Sequence, residues 1–204
     1  GIKGHIPPIG LAFWRWTVAC IVLAPFAIKS TYENFKIVKK HIRYLTLTAV
    51  LGITIFNTLI YFAGKTTSAV NLSLIAISIP LFIVVLSRII FKEKVSNVKI
   101  VGIATIITGV LVLISKGSLQ ALLHINFTIG DVLMLVACFF FAYYTILVRK
   151  KPDELSPKVF LFSVFIIGTI LLFPFYLYEH IYYKKVIFDT KTVLITTYVG
   201  VCAS

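Results

Sequence analysis

The chain has 204 residues, of which 59% are hydrophobic and 13% are charged, and its formal net charge at pH 7 is +13. About a quarter of the residues in soluble domains are charged, so this composition excludes an ordinary soluble protein. Long unbroken apolar runs also exclude a membrane β-barrel, whose strands alternate over roughly ten residues. The runs instead predict membrane-spanning helices.

Seven apolar runs follow one another along the chain. The last run stops after 13 residues, which is too short to cross a bilayer that needs about 20 helical residues. We therefore predict six complete helices and one partial helix, in a piece of a longer protein. The fourth run is short, so its helix is expected to begin near Val95. The runs are Ile9–Ile28, Tyr44–Gly64, Ala69–Leu86, Ile100–Ile114, Gly130–Val148, Val159–Tyr178 and Thr192–Ser204.

The basic residues fall in alternate gaps between these runs. Of the 20 Lys and Arg residues, 13 follow the first, third and fifth runs, six lie in the other gaps, and Arg15 lies inside a run. Because cytoplasmic loops are enriched in Lys and Arg, the odd-numbered runs are predicted to descend into the cytoplasm. The positive charge is therefore a topology signal, and nucleic acid is not expected as a partner.

The first and sixth runs are similar to each other at an offset of 149 residues. Five passes separate these two runs, so the two copies would enter the membrane from opposite sides. An inverted repeat of this kind is typical of secondary transporters. Six residues in or just before the first run meet identical residues in or just before the sixth: Pro8, Phe13, Ile21, Leu23, Pro25 and Phe26 meet Pro157, Phe162, Ile170, Leu172, Pro174 and Phe175.

The repeat predicts an inverted-repeat helical bundle with about ten helices when intact. Residues 1–115 would hold most of a first five-helix repeat, helices 2–5. Residues 116–129 would form an external connecting loop, and residues 130–204 would begin the second repeat as helices 6–8, the last one truncated.

Five segments, in this order, resemble the EamA-type branch of the drug/metabolite transporter superfamily. Arg15, Pro80, Glu93 and Asp131 stand at positions that match the family pattern, whereas Phe140 or Phe141 stands where the family often has Trp. The segments are PPIGLAFWRW, YFAGKTTSAVNLSLIAISIPLF, FKEKVS, GIATIITGVLVL and GDVLMLVACFFFAYYTILVRK. The resemblance implies ten helices in two inverted repeats and transport of small polar metabolites, often as export.

Polar side chains inside the runs are costly in lipid and mark either a substrate pathway or a helix contact. Each candidate keeps a structural alternative: Arg15 could reach the headgroups, Asn57 could bond a neighbouring helix, and Tyr144 could anchor at the interface. Pro80 predicts a hinge or an ordinary kink. The candidate substrate-binding residues are Arg15, Asn57, Tyr61, Asn71, Ser78 and Tyr144.

Other polar or small residues are expected to be structural. Gly102, Thr105 and Gly109 share one helix face and predict close helix packing. Glu93 and Asp131 lie at helix ends, where Asp131 suits the first turn of a helix. No catalytic group, metal set or cofactor motif is recognised in the sequence, so an enzyme is not expected.

These patterns lead to a secondary transporter that moves a small polar metabolite, an amino acid or a related compound, across the cytoplasmic (inner) membrane by alternating access. The expected partners are the small-molecule substrate and the lipid bilayer, and the coupling ion is left open. The alternative is a non-transporting membrane scaffold or assembly protein.

Overall fold

The computed structural model describes residues 7–115 and 128–182. The partial seventh run and most of the predicted loop 116–129 lie outside these described residues. The elements are α1 Pro8–Glu33, α2 Phe35–Lys40, α3 Ile42–Ala49, a π-helix at Val50–Ile55, α4 Phe56–Thr66, α5 Ala69–Ala76, α6 Ile79–Phe91, α7 Asn97–Ser115, α8 Ile129–Arg149 and α9 Pro157–Tyr182.

The described chain is helical, and the described ranges contain no strand. Helix α7 is apolar as well. The predicted class, an all-α polytopic membrane protein, is confirmed. Five stretches are long and apolar enough to cross a membrane: Ile9–Glu33, Ile42–Thr66, Ala69–Phe91, Ile129–Arg149 and Pro157–Tyr182.

Several helices extend beyond the predicted runs. Helix α1 continues to Glu33, and α2 occupies part of the gap that was expected to be a polar connection. Helix α9 continues to Tyr182, so Glu179 lies within a helix and not in a gap. Hydropathy marks where a helix leaves the lipid, but backbone hydrogen bonds continue past that point.

The chain divides into two compact units, of which the first comprises Gly1–Asn57 and Lys150–Ser204. In this unit α1 and α9 form the largest helix pair. The Gly10 N–H donates to Glu179 Oε2 at 2.7 Å, and the sulfur of Cys20 lies 3.6 Å from Thr169 Oγ1. The second contact lies ten residues later than the first along α1 but ten residues earlier along α9. The two helices are therefore antiparallel.

Helix α9 also approaches the π-helix closely. A Cβ atom added at Gly168 would lie 2.6 Å from Cδ1 of Ile53 and 2.8 Å from its Cβ. These separations are far below ordinary van der Waals contact, which is about 3.5–4.0 Å between carbon atoms. Glycine at position 168 is therefore what allows α9 to contact the π-helix.

The second unit comprises Thr58–Arg149. In it α5 and α6 pack against α8, and Leu86, Ala142 and Ile146 form a buried core between α6 and α8. The third predicted run is divided, because α5 ends at Ala76 and α6 begins at Ile79. Pro80 stands in the first turn of α6, so the predicted disruption of the helix at this proline is confirmed.

The start of α8 is held by a reciprocal capping box. The backbone N–H of Thr128 donates to Asp131 Oδ2 at 2.8 Å, and the Asp131 N–H donates to Thr128 Oγ1 at 3.3 Å. Thr67 Oγ1 adds a bond of 2.6 Å to Asp131 Oδ1. Asp131 is only 3% exposed, and its predicted structural role at the helix end is confirmed.

The predicted packing face of α7 has no partner among the described residues at its two glycines. A Cβ added at Gly102 or Gly109 would meet no described atom within 4 Å. Small residues at helical spacing permit close packing but do not supply the partner helix, so the close packing of this face stays a prediction.

Candidate functional site

The structure brings two of the predicted site residues together in the first unit. Arg15, half-buried on α1, donates from Nη2 to Oδ1 of Asn57 at 2.6 Å. Asn57 is only 5% exposed and lies 42 residues away in sequence. A guanidinium that bonds a buried amide inside an apolar span is costly unless each polar group is satisfied, so this contact is the main candidate for a substrate site.

The π-helix positions Asn57. Asn57 is the second residue after this segment, and its Nδ2 donates to the Ile53 carbonyl at 2.6 Å. The amide therefore uses its oxygen for Arg15 and its nitrogen for the backbone. Short π-helical segments occur frequently at functional sites, because the widened turn changes which groups the backbone presents.

Two buried polar groups accompany this pair in the sequence. Trp16 follows Arg15, whose guanidinium carbon lies 4.9 Å from the Trp16 ring centroid. Thr54 precedes Asn57 by three residues. Trp16 Nε1 and Thr54 Oγ1 are both buried and have no hydrogen-bond partner within the described part of the chain. Such groups in apolar surroundings favour a polar ligand or water as their partner.

The other four candidates lie in the second unit. Tyr61 is half-buried on α4, and Tyr144 is half-buried on α8, with its ring centroid 5.5 Å from that of Phe141. Asn71 is exposed in the first turn of α5, where its backbone N–H donates to Ser68 Oγ at 3.1 Å. Ser78 lies in the break between α5 and α6.

Sequence reasoning missed the role of Glu179. Its carboxylate, 8% exposed, accepts the N–H of Gly10 at the start of α1. Pro7 precedes α1 and offers no side-chain cap. The Glu179 carboxylate, from another helix, therefore accepts one of the N–H groups that the helix start leaves without a partner. Its negative charge also interacts favourably with the positive end of the helix dipole. The signal in the sequence is the Pro-Pro pair, which leaves the helix start without a local acceptor.

A surface ion cluster also belongs to the first unit. Lys40 Nζ lies 2.7 Å from Glu154 Oε1, and His41 Nε2 lies 3.1 Å from Oε2. Hydrogen bonds from Lys40 and then from His41 hold the pKa of the Glu154 carboxyl below its ordinary value. The three residues lie outside the five candidate spans.

Apolar spans, a broken helix and a buried polar contact together define a polytopic membrane protein with a polar site inside its helices. The model of the EamA-like transporter family matches residues 1–115 and 128–204. The chain belongs to the EamA-like transporter family, and the predicted resemblance is confirmed.

The curated relatives are named as uncharacterized transporters. The chain is 28% identical over 170 residues to the uncharacterized transporter YyaM of Bacillus subtilis (strain 168), covering 83% of this chain and 55% of the relative. It is 27% identical over 207 residues to an uncharacterized transporter of Archaeoglobus fulgidus, covering 100% of this chain and 68% of the relative. The chain thus spans between half and about two thirds of these relatives. No solved structure matches the chain significantly.

Proposed function

We propose that the protein is a secondary transporter that moves a small polar metabolite across the cytoplasmic (inner) membrane by alternating access. The observation that carries the proposal is the contact between Arg15 and Asn57 inside the apolar spans. Membership of a transporter family supports transport over the alternative of a scaffold or assembly protein.

The chemistry of the pair favours a substrate with a carboxylate or another anionic group. A guanidinium carries five N–H donors and binds a carboxylate with two parallel hydrogen bonds. A carboxylate is a stronger acceptor than the Asn57 amide, so it would replace Asn57 as the partner of Arg15. An amino acid or a related compound fits this requirement, and Tyr61, Asn71, Ser78 and Tyr144 remain proposed substrate contacts.

Alternating access requires two related halves, and α1 and α9 support such a repeat. Both helices have 26 residues, both begin with a proline, and each has an internal proline at the same position, Pro25 in α1 and Pro174 in α9. The offset of 149 residues found in the sequence therefore holds at both ends of the helices.

Contacts between the two helices follow the same offset. Cys20 contacts Thr169 and Trp16 contacts Phe165, with the two ring centroids 4.8 Å apart. Positions near a two-fold axis contact their own equivalents. The family match also separates into two segments at the predicted repeat boundary, residues 116–129. These observations support two inverted repeats, 1–115 and 130–204, which would rock against each other. Pro80 is a proposed hinge within the first repeat.

The described carboxylates do not indicate which ion, if any, is coupled to transport. Asp131 and Glu179 are the acidic residues buried among the described ones, and both accept hydrogen bonds from helix N-termini. Because both carboxylates already serve as acceptors at helix starts, neither is proposed as a proton carrier.

Counterflow in proteoliposomes tests the function and the site together. The full-length protein is reconstituted, unlabelled amino acids and related metabolites are preloaded one at a time, and uptake of the labelled compound is followed. We expect a substrate-specific signal. A hydrogen bond to a charged group contributes about 1.5–3 kcal/mol, so Arg15→Gln should raise the KM by about ten-fold or more. Asn57→Ala removes the group that the substrate must displace from Arg15, so it should lower the KM. Arg43→Gln, an exposed cation in the same unit, is the matched control.

The outcomes separate the two claims. No counterflow for any solute in the panel would refute the transporter. A signal that both site variants leave unchanged, with KM equal to that of Arg43→Gln, would keep the transporter and refute Arg15 and Asn57 as its substrate site.

A further inference from the structure

A second polar site lies in the second unit, apart from the contact between Arg15 and Asn57. It is a pocket of about 220 Å³ at the end of α6, bounded by the segment that leads into α7 and by the last residue of α8. The charge pattern places this end of the helices on the cytoplasmic side. We refer to it as the basic pocket, and its polar lining consists of Ser87, Arg88, Glu93, Lys94, Lys99 and Arg149.

The basic pocket has an excess of positive charge. It is lined by four cations and one acid, and that acid, Glu93, is engaged by Arg149, whose Nη2 lies 2.5 and 2.6 Å from the two carboxylate oxygens. Arg88, Lys94 and Lys99 are all exposed at the rim. With Arg149 balanced by Glu93, three positive charges remain to attract an anion.

A buried hydroxyl group also lines the pocket. Ser87 is 6% exposed, and its Oγ has no hydrogen-bond partner within residues 7–115 and 128–182. A serine in a helix commonly bonds the carbonyl four residues earlier, and other helical hydroxyls of this chain, such as Thr105, do so. A buried hydroxyl without a bond costs about 1–3 kcal/mol, so its partner is expected to be a ligand that enters the pocket.

The inner wall of the basic pocket is apolar. Pro80, Ile83 and Val84 line it from α6, and α6 is the second half of the membrane span Ala69–Phe91. The pocket thus presents cations at its rim and hydrocarbon along the part that lies within the membrane. A freely soluble phosphate would use only the rim, whereas a phospholipid would use both.

We propose that the basic pocket binds the headgroup of an anionic phospholipid from the cytoplasmic leaflet. The phosphate would lie between Arg88, Lys94 and Lys99 and accept the Ser87 hydroxyl proton in a hydrogen bond. The acyl chains would lie along Ile83 and Val84. Basic pockets between helices at this depth are known to hold anionic headgroups in other membrane proteins. The site is independent of the transported solute.

Native mass spectrometry of the full-length protein tests the proposal. The protein is reconstituted in phosphatidylcholine vesicles with and without phosphatidylglycerol, extracted in mild detergent, and examined for retained lipid. We expect selective retention of phosphatidylglycerol. Each cation near an anionic headgroup contributes about 1 kcal/mol, so Arg88→Gln and Lys99→Gln should each lower retention by about five-fold, and Ser87→Ala by at least about two-fold.

Two variants control for nonspecific effects. Lys158→Gln removes an exposed cation that the charge pattern places on the same side of the membrane. Ser163→Ala removes another buried hydroxyl without a hydrogen-bond partner among the described residues. Both should retain phosphatidylglycerol as the unmodified protein does, and a thermal melt of each variant confirms that it is folded.

Three results would overturn the proposal. Equal retention of phosphatidylcholine and phosphatidylglycerol would show that the pocket does not select an anion. Loss of lipid in Lys158→Gln as large as in Lys99→Gln would indicate general surface charge. Displacement of phosphatidylglycerol by inorganic phosphate alone would assign the pocket to a soluble phosphate compound.

Discussion

Gly168 offers a direct test of the contact between α9 and the π-helix. An alanine there would place its Cβ 2.8 Å from both Cβ and Cγ2 of Ile53. Ile53 is fully buried, and a β-branched side chain in a helix has one strongly preferred rotamer. Rotation of the side chain cannot move its Cβ, so the strain can be relieved only by movement of the backbone of α9 or of the π-helix.

The magnitude follows from two opposing effects. Overpacking of a tight core costs about 1–3 kcal/mol, and replacing a helical glycine by alanine stabilises the helix by about 0.5–1 kcal/mol. The clash involves three Ile53 atoms that cannot all move aside, so Gly168→Ala should destabilise the protein by about 1–2 kcal/mol. Gly64→Ala is the control, because its Cβ would lie at an ordinary 3.7 Å from Leu72 Cδ1.

The assay is equilibrium unfolding in mixed micelles, with Ile53→Ala and the double variant included. Removal of the isoleucine side chain should make room for the new methyl group at position 168. The double variant should therefore be more stable than the sum of the two single effects predicts, by at least about 1 kcal/mol. Gly168→Ala as stable as Gly64→Ala would refute the tight contact. Strict additivity in the cycle would show that the strain arises somewhere other than Ile53.

Two further predictions concern the carboxylates of Asp131 and Glu154. Asp131→Ala should lower stability by about 1–2 kcal/mol in the same unfolding assay, because the donors of Thr128 and Thr67 would lose their acceptor, and exposed Asp153→Ala should have no effect. The pKa of Glu154 is lowered in the folded protein, so its ionised carboxylate contributes to the free energy of unfolding above the unfolded-state pKa. This contribution is lost as pH falls through the folded-state pKa. Glu154→Gln should remove this pH-dependent contribution. A pH series that gives parallel curves for Glu154→Gln and the unmodified protein would contradict this linkage.

The spans were predictable because lipid allows few solutions. An apolar stretch of about 20 residues must be helical to satisfy its backbone, and each of the five spans overlaps a predicted run. The helix ends were less predictable, because polar residues such as Glu33 and Glu179 continue a helix beyond the apolar part. Gly102 shows a different limit, because its small-residue pattern predicts close packing but no atom in the described part of the chain lies within 4 Å of a Cβ added there.

The site was predictable residue by residue but not as an arrangement. Arg15 and Asn57 stand out in sequence because a cation and an amide are costly in lipid. Their contact depends on the rotation of α1 relative to the following span, which hydropathy does not encode. The π-helix also leaves no signal in the apolar pattern, because Val50–Ile55 is equally apolar in an α-helix. Ser87 was overlooked because it follows the end of the predicted third run at Leu86, where a serine is expected to be exposed, whereas it is buried in α6.

The contacts of the first unit connect the proposed substrate site to the proposed repeat. Gly168 on α9 packs against Ile53. The carbonyl of Ile53 accepts a hydrogen bond from the Asn57 amide nitrogen, and the Asn57 amide oxygen accepts one from Arg15 on α1. A carboxylate that takes Arg15 from Asn57 would remove one link in this series. Because α1 and α9 are the helices that the repeat relates to each other, such a change would act directly at the contact between the two proposed halves. Substrate binding at Arg15 would then stabilise one arrangement of the halves relative to the other. Alternating access requires a substrate to have this effect.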